Sequence, residues 1–198
     1  MHRLDANSSG LLLGARTYRA YYHLHWALHT YQVSREYVAL VHGQVDPGLR
    51  RLGMQLLVRG RTSHVMSGAG LPACTHLKVL AHLSLPGGGL FSLLVLSIET
   101  GRQHQIRAHL EHVGHSVVCD AVYGQAAFGA DRRWCPRNFL HRFRLAMPEG
   151  EDKFGFKVAS AMPADLKGAL LRLNPLEEVS AAAVREWCTR PEAALRSF

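Results

Sequence analysis

Short apolar runs, separated by glycine, proline and polar residues, are the dominant pattern along this chain. Runs at Leu11–Leu13, at 36–42 and at Phe139–Ala146 have the length and the residue types of strands. A further strand is predicted at 54–58, inside the otherwise loop-rich stretch 44–72. The chain is therefore predicted to be rich in strands drawn from several parts of the sequence.

The clearest strand pairing surrounds a turn of one proline and three glycines at Pro86–Gly89. Residues 74–85 and 90–99 flank this turn as long apolar runs, so they are predicted to form an antiparallel hairpin. Strands outnumber helices in the pattern as a whole, and the best-supported pair is antiparallel. The sequence therefore predicts an α+β domain built on a mixed, mostly antiparallel sheet with flanking helices.

Large side chains at helical spacing mark the predicted helices. The first is predicted over residues 18–31, with Thr17 as its N-cap. A shorter helix is predicted over 103–113, where Gly114 ends it. A turn at 148–150 leads into a predicted strand at Lys153–Val158, and a further helix is predicted to begin in the segment 163–166.

The composition changes after Asn174 and Pro175, where alanine and glutamate become frequent and a helix is predicted. The chain is therefore predicted to divide into a main domain, residues 1–174, and a helical C-terminal appendage, residues 175–198. Neither part contains an internal repeat or a low-complexity tract.

The charge balance indicates a polyanionic partner. The chain of 198 residues has a net charge of +8, and nucleic acid is the commonest polyanion bound by a basic globular chain. Hydrophobic residues make up 47% and charged residues 19% of the chain, which excludes a disordered protein. The polar stretch 125–138 is predicted to be a surface loop that contacts nucleic acid, because it places three arginines around Trp134: Arg132, Arg133 and Arg137.

The cysteines indicate a reducing compartment. They form no C-x-x-C pair, and their spacing fits neither a zinc cluster nor a disulfide framework: Cys74, Cys119, Cys135 and Cys188. No apolar stretch is long enough to span a membrane, and the first residues do not have the pattern of a signal peptide. A cytoplasmic location is therefore expected, and an organellar one stays open.

Two polar motifs carry candidate chemistry, HRLD at 2–5 and TGRQHQIR at 100–107. A carboxylate such as Asp5 stays ionised beside a guanidinium, because the opposite charge favours its charged form. Such a carboxylate can act as a nucleophile or general base on a substrate whose phosphates are held by arginines.

Four segments, in order, resemble the RluA-like pseudouridine synthases. HRLDANSSG with the apolar run after it resembles the family's catalytic segment, and REYVALVHG at 35–43 is similar to its basic-x-Tyr strand. The stretch 100–124 resembles the longest signature of the family, and 140–148 is similar to one of its last strands. The resemblance covers roughly residues 2–170.

This resemblance implies the pseudouridine synthase catalytic fold and the isomerisation of uridine to pseudouridine in RNA. In the family, the HRLD aspartate attacks the target nucleotide, the C1′–N1 bond breaks, and the uracil turns and rejoins through C5. The matching positions of the motifs imply that Asp5 is the catalytic carboxylate and that Arg107 pairs with it. They also imply that Tyr37 stacks on the uracil and assists the loss of the C5 proton. Arg3 enters the RNA where the target base is flipped out, because the glycosidic bond of a stacked base is out of reach.

Three further residues of the second motif are assigned to RNA binding through phosphate or uracil edges: Arg102, His104 and Gln105. The implied reaction needs no redox agent, nucleotide or metal, so neither a cofactor nor a metal is predicted. The expected partner is RNA, either ribosomal or transfer RNA, whereas the target uridine and the oligomeric state are not specified by the sequence.

Two other classes of function stay open. One is a catalytically inactive RNA-binding protein that derives from such an enzyme and keeps its basic surface. The other is a metal-dependent phosphodiesterase that uses the histidine-rich segment 104–115 and would be sensitive to chelators. The family usually has a further segment before HRLD, and a chain truncated at that motif is expected to expose a sheet edge and to lack one wall of the active site.

Overall fold

The computed structural model describes residues 2–150 and 154–189, and its elements follow the predicted order closely. The strands are β1 (Ser9–Gly10), β2 (Ser34–His42), β3 (Arg51–Leu52), β4 (Leu56–Arg59), β5 (Thr62–Val65), β6 (Thr75–Ser84), β7 (Leu90–Ile98), β8 (Leu140–Met147), β9 (Phe156–Ala159) and β10 (Asn174–Pro175). The helices are α1 (Tyr18–His29), α2 (Gln105–His112), α3 (Gln125–Asp131), α4 (Ala164–Leu170) and α5 (Glu178–Thr189). The predicted α+β class is confirmed.

One large sheet organises the fold. Its strands lie in the order β1-β8-β2-β7-β6-β10, with β3 paired to β6 and β9 paired to β8. The pair β1–β8 is parallel and the remaining pairs of this sheet in the described residues are antiparallel. The strands β4 and β5 form a separate hairpin. The mostly antiparallel sheet and the hairpin at Pro86–Gly89 are thus as predicted.

Helices cover both faces of the sheet, and alternate residues of β2 face the helices on opposite sides. Because successive strand residues point to opposite faces, Val38 and Leu40 pack in the cluster that contains α4 and α5. Tyr37 and Ala39 instead pack in the cluster that contains Ile106 of α2. The sequence alternation therefore places the Tyr37 ring on the face where the second polar motif begins its helix.

Helix α1 forms as predicted, although it ends at His29. The side chain of Thr17 accepts a hydrogen bond from the Ala20 amide at 3.1 Å, which is the expected N-cap. Leu24 and Leu28 are buried, as their helical spacing predicts, and Leu28 packs with Leu145 of β8. Their position fixes the helix beside the segment that carries Asp5.

Two predictions about local structure are wrong. Leu11–Leu13 is not a strand, because the chain pairs with β8 one step earlier, through Ser9 and Gly10. The stretch 125–138 is not simply a loop, because it contains α3, whose Asp131 is buried and accepts hydrogen bonds from the Cys119 amide and the His42 ring. These buried contacts order a segment whose polar composition indicates exposure.

The division at residue 174 stays a prediction. Within the described residues, α5 packs against the sheet through Val184 and Trp187, and Trp187 is only 1% exposed. The predicted appendage also includes residues 190–198, which lie outside the described residues, as does Lys153, where a strand was predicted to begin.

Gly10 is required where β1 meets β8. Its φ is +131°, and a Cβ atom built on it would lie 2.3 Å from the Arg142 carbonyl oxygen. We expect Gly10→Ala to destabilise the fold by about 2 kcal/mol or more, because backbone strain and a backbone clash add. Urea unfolding followed by tryptophan fluorescence measures this. Gly14→Ala is the matched control, since no atom lies within 4 Å of its Cβ position, and an equal loss in both variants would contradict the argument.

Candidate active site

A cavity of about 400 Å³ opens where the HRLD segment, β2 and the start of α2 meet. Both motifs singled out from the sequence contribute to its walls, and Tyr37 contributes from β2. Among the described residues that line it, Asp5 is the single carboxylate, and the cations are four arginines: Arg3, Arg35, Arg102 and Arg142. A strongly basic cavity around one acid suits an anionic substrate and a carboxylate that reacts with it.

Asp5 is held by Arg107 from the first full turn of α2. One guanidinium nitrogen of Arg107 donates to Asp5 Oδ2 at 3.2 Å. The Asp5 side chain is 21% exposed, whereas that of Arg107 is 6% exposed. The carboxylate therefore reaches the cavity while its cationic partner stays behind it.

Arg107 is itself fixed by Asp120. Its Nε donates to Asp120 Oδ2 at 2.6 Å and its Nη2 donates to Asp120 Oδ1 at 2.7 Å, a bidentate pair. Burial opposes the charge on Asp120, but the hydrogen bonds and charge of Arg107 outweigh it and hold the pKa of this carboxyl below its ordinary value. The amides of Val122 and Tyr123 also donate to Asp120 Oδ1. The guanidinium that faces Asp5 is thus locked in one orientation.

The Tyr37 hydroxyl has a cationic partner on the neighbouring strand. Tyr37 and Arg142 are cross-strand partners in the β2–β8 pair, and Arg142 Nε donates to the Tyr37 hydroxyl at 2.8 Å. Burial raises the pKa of Tyr37 despite the opposing effect of Arg142, so the phenol is neutral near pH 7. Burial and the charge of Arg142 lower the pKa of the adjacent His2 to about 4, so that ring is neutral too.

The predicted RNA-binding residues line the same cavity but differ in what their side chains contact. Arg3 is exposed, and Arg102 donates to the Pro72 carbonyl. His104 has a left-handed backbone with a φ of +52° and lies 3.2 Å from the Tyr123 hydroxyl, and burial lowers its pKa.

The side-chain amide of Gln105 makes four hydrogen bonds within the protein. Its oxygen accepts from Thr100 Oγ1 and the Arg102 amide, and its nitrogen donates to the Cys74 carbonyl and to Thr75 Oγ1. The side chain is 3% exposed. These four bonds brace the loop before α2, so they fix the positions of the residues around it.

Potential metal ligands meet at one place in the described residues. Cys74, His76 and Glu99 bring their ligand atoms within 4.8 Å of one another, outside the cavity lining. The histidines of 104–115 instead point to separate partners: His109 contacts Thr75 Oγ1 and the Met54 carbonyl, and His115 contacts the His42 carbonyl. The geometry in this part of the chain therefore gives no support to a metal-dependent reaction on the histidine-rich segment.

Sequence reasoning missed Asp120, Arg142 and Arg35 as parts of the site. Asp120 lies inside the stretch 100–124 that resembles the family signature, but its pairing with Arg107 follows only from the fold. Arg35 lies near the start of β2 and is buried, and its Nε has no hydrogen-bond partner among the described residues. No periodicity in the sequence indicates that Arg142 and Tyr37 are neighbours, because the register between β2 and β8 decides it.

Comparison with known proteins agrees with this fold and with the family resemblance. The family model described as RNA pseudouridylate synthase matches residues 1–112. The ribosomal large subunit pseudouridine synthase D of Nitrosomonas europaea is 33% identical over 187 residues, which cover 91% of this chain and 52% of the relative. The corresponding protein of Neisseria meningitidis is 32% identical over 202 residues, covering 94% and 52%.

A solved structure gives the same result in three dimensions. The human RNA pseudouridylate synthase domain containing 1 protein superposes with a TM-score of 0.74 at 27% sequence identity, covering 92% of this chain and 78% of that one. The chain belongs to the RNA pseudouridylate synthase family, which confirms the resemblance found in the sequence.

The chain spans about half the length of the curated relatives it matches, 52% in each of the two described above. Within residues 2–150 and 154–189, no helix has the length and apolar character needed to cross a bilayer.

Proposed function

We propose that this protein is an RNA pseudouridine synthase that isomerises specific uridines in RNA. The observation that carries the proposal is the single carboxylate of the cavity, Asp5, held by Arg107 in a basic cavity that the Tyr37 ring also lines. The relatives named as ribosomal large subunit pseudouridine synthases favour ribosomal over transfer RNA. No metal or cofactor has a part in the proposed reaction, and the cytoplasmic location stays a prediction.

Asp5 is proposed to start the reaction. Its carboxylate attacks the target nucleotide, and the bond between ribose C1′ and uracil N1 breaks, with the bonding electrons going to the uracil. The uracil turns and forms a bond from C5 to C1′, which releases Asp5. C5 then loses its proton to a base, and N1 takes up a proton in its place, so the reaction is a net isomerisation. Arg107 orients the carboxylate through the first of these steps, because it donates to one carboxylate oxygen and leaves the other free.

Tyr37 is proposed to stack on the uracil and to assist removal of the C5 proton. Its phenol is neutral in the resting site, so it acts through its hydroxyl rather than as a preformed phenolate. Arg142 Nε, which donates to that oxygen, would stabilise negative charge there as the proton moves.

The arginines of the cavity are proposed to bind the RNA backbone. Arg3 is exposed at the mouth and is proposed to occupy the place that the flipped base leaves, and Arg102 and His104 are proposed to contact phosphate or the uracil edge. Gln105 is proposed to contribute by holding the loop that presents these residues.

Tyr37→Phe separates the two proposed roles of this residue. We expect release of the C5 hydrogen to slow by about 100-fold, because the ring stays while the hydroxyl is lost. RNA affinity should stay unchanged, whereas Tyr37→Leu should weaken it as well. Tritium release and an RNA filter-binding measurement test this, and an unchanged rate in Tyr37→Phe would exclude the hydroxyl from the proton step.

The experiment for the function itself is tritium release from RNA labelled at uracil C5. Release with formation of pseudouridine is the expected result with the full chain and ribosomal RNA that lacks modification. RNA binding without release would favour the inactive RNA-binding protein, and release that depends on a divalent metal would favour another reaction.

A further inference from the structure

The solvent face of α1 is made of aromatic rings. We call this set the α1 aromatic face, and it consists of six side chains on one side of the helix: Tyr18, Tyr21, Tyr22, His25, Trp26 and His29. Tyr18 is 84% exposed, Tyr22 67% and Trp26 56%. Solvent-facing helix positions are ordinarily charged or polar, so this face requires a reason beyond folding.

The core does not use these rings. Helix α1 contributes Leu24, Ala27 and Leu28 to the buried side, and Ala27 and Leu28 pack with Val33 and Leu145. The aliphatic residues of the helix are therefore on its inner side, while the large exposed side chains are aromatic. Docking faces for proteins or membranes also use aliphatic side chains, whereas flat rings are the groups that stack on nucleic-acid bases.

The rings form a ladder that leads to the cavity. Tyr21 and His25 stack with centroids 5.7 Å apart and planes inclined by 26°, and His25 and His29 follow at 4.1 Å and 31°. His29 lines the cavity together with Leu28 and Tyr31. A chain lying along these rings would thus continue into the site that contains Asp5.

The charge of this segment also fits a nucleic-acid ligand. Residues 14–31 contain no aspartate or glutamate, and they include Arg16 and Arg19, both exposed. An RNA strand that stacks its bases on the rings would find guanidinium groups for its phosphates and no carboxylate to repel them.

We propose that the α1 aromatic face binds the unpaired nucleotides that flank the target uridine, by stacking their bases. This inference rests on the proposed function for the identity of the RNA, but its binding step is independent of catalysis. The proposal extends the substrate contacts from the cavity along the whole length of α1. It also predicts that the substrate is single-stranded or opened beside the target.

The test compares two triple variants of the full chain. In the ring-deletion variant Tyr21, Tyr22 and Trp26 are replaced by leucine, which keeps apolar volume and helix propensity. In the ring-retaining variant the same residues are replaced by phenylalanine. The probe is a short fluorescein-labelled oligouridylate, and fluorescence anisotropy gives its Kd over a range of salt concentrations.

We expect the ring-deletion variant to raise the Kd at least about tenfold, because each stacked base contributes strongly to single-strand binding. The slope of log Kd against log salt should stay the same, since no phosphate contact is removed. The ring-retaining variant should bind like the parent. The fluorescence of Trp26, taken as the difference between the parent and Trp26→Leu, should be quenched by the oligouridylate.

Three outcomes would overturn the inference: an unchanged Kd in the ring-deletion variant, an equal loss in the ring-retaining variant, or no quenching of Trp26. Circular dichroism and the thermal midpoint show whether the ring-deletion variant is folded, and the quenching measurement stays decisive if it is not. Failure of the proposed function is a different result, namely no tritium release by the parent chain, and it leaves the oligouridylate measurements interpretable.

Discussion

Asp5→Asn is expected to abolish release of the C5 hydrogen while leaving the fold intact. The loss should be at least about 10⁴-fold, the scale seen when a nucleophile is removed, because the amide cannot replace the carboxylate. The isosteric amide still fills the space beside Arg107, and Arg107 keeps its bidentate partner Asp120. The free energy of unfolding should therefore change by less than about 1 kcal/mol. Tritium release and urea unfolding measure the two effects.

Asp46→Asn is the matched control for this change. Asp46 is an exposed aspartate whose carboxylate accepts the Gly48 amide, and it is not among the residues that line the cavity. It should release tritium at the parental rate. Residual activity in Asp5→Asn within about tenfold of the parent would contradict nucleophilic attack by this carboxylate. Parental RNA binding by Asp5→Asn would show that the loss lies in the chemical step.

Much of the fold follows from local pattern. The hairpin β6–β7 forms because two apolar runs flank a turn that only a glycine-rich segment allows, with Gly87, Gly88 and Gly89 all at positive φ. Helix α1 forms from its spacing and its Thr17 cap. The helix within 125–138 and the true position of β1 could not be found this way, because buried contacts made by distant residues order them. In place of the predicted surface loop, that first stretch holds α3, which depends on Asp131 reaching the Cys119 amide.

The site shows the same division between motif and fold. HRLD and HQIR identify Asp5 and Arg107 as a pair because the residue types stand in a family pattern. The support behind them is long-range: Arg142 meets Tyr37 across 105 positions of sequence, through the register of β2 and β8. The shift in that register between Glu36 and Tyr37 decides which side chain faces the phenol, and no sequence period encodes it.

Arg107→Met is expected to be the most destabilising single change in the site. It leaves Asp120, which is fully buried, with its two amide donors but without its cation. Removing one partner of a buried ion pair costs about 3–5 kcal/mol, because the remaining charge is uncompensated. Activity should be lost together with stability, since Asp5 loses its orienting partner as well. Urea unfolding and tritium release test both expectations.

The double variant Arg107→Met/Asp120→Asn separates the two losses. The neutral amide at position 120 leaves no buried charge, so part of the lost unfolding free energy should return. The coupling free energy between the two substitutions in the double-mutant cycle should be at least about 1 kcal/mol. Activity should not return, because Asp5 still lacks its cation. Recovery of activity in the double variant would show that Arg107 acts on the fold alone.

The pH dependence gives an independent check on the same pair. The pKa of Asp120 is held below its ordinary value in the folded parent, so the stability from this group is present above about pH 4, its unfolded value, and falls as the pH drops below it. In Arg107→Met, burial without the cation should raise the pKa of Asp120 above the unfolded value. The loss of stability in Arg107→Met should then be largest near neutral pH. The difference in unfolding free energy between the parent and this variant should become smaller as the pH falls toward 4. A difference that stays constant between neutral pH and pH 4 would contradict an ionised Asp120 as its cause.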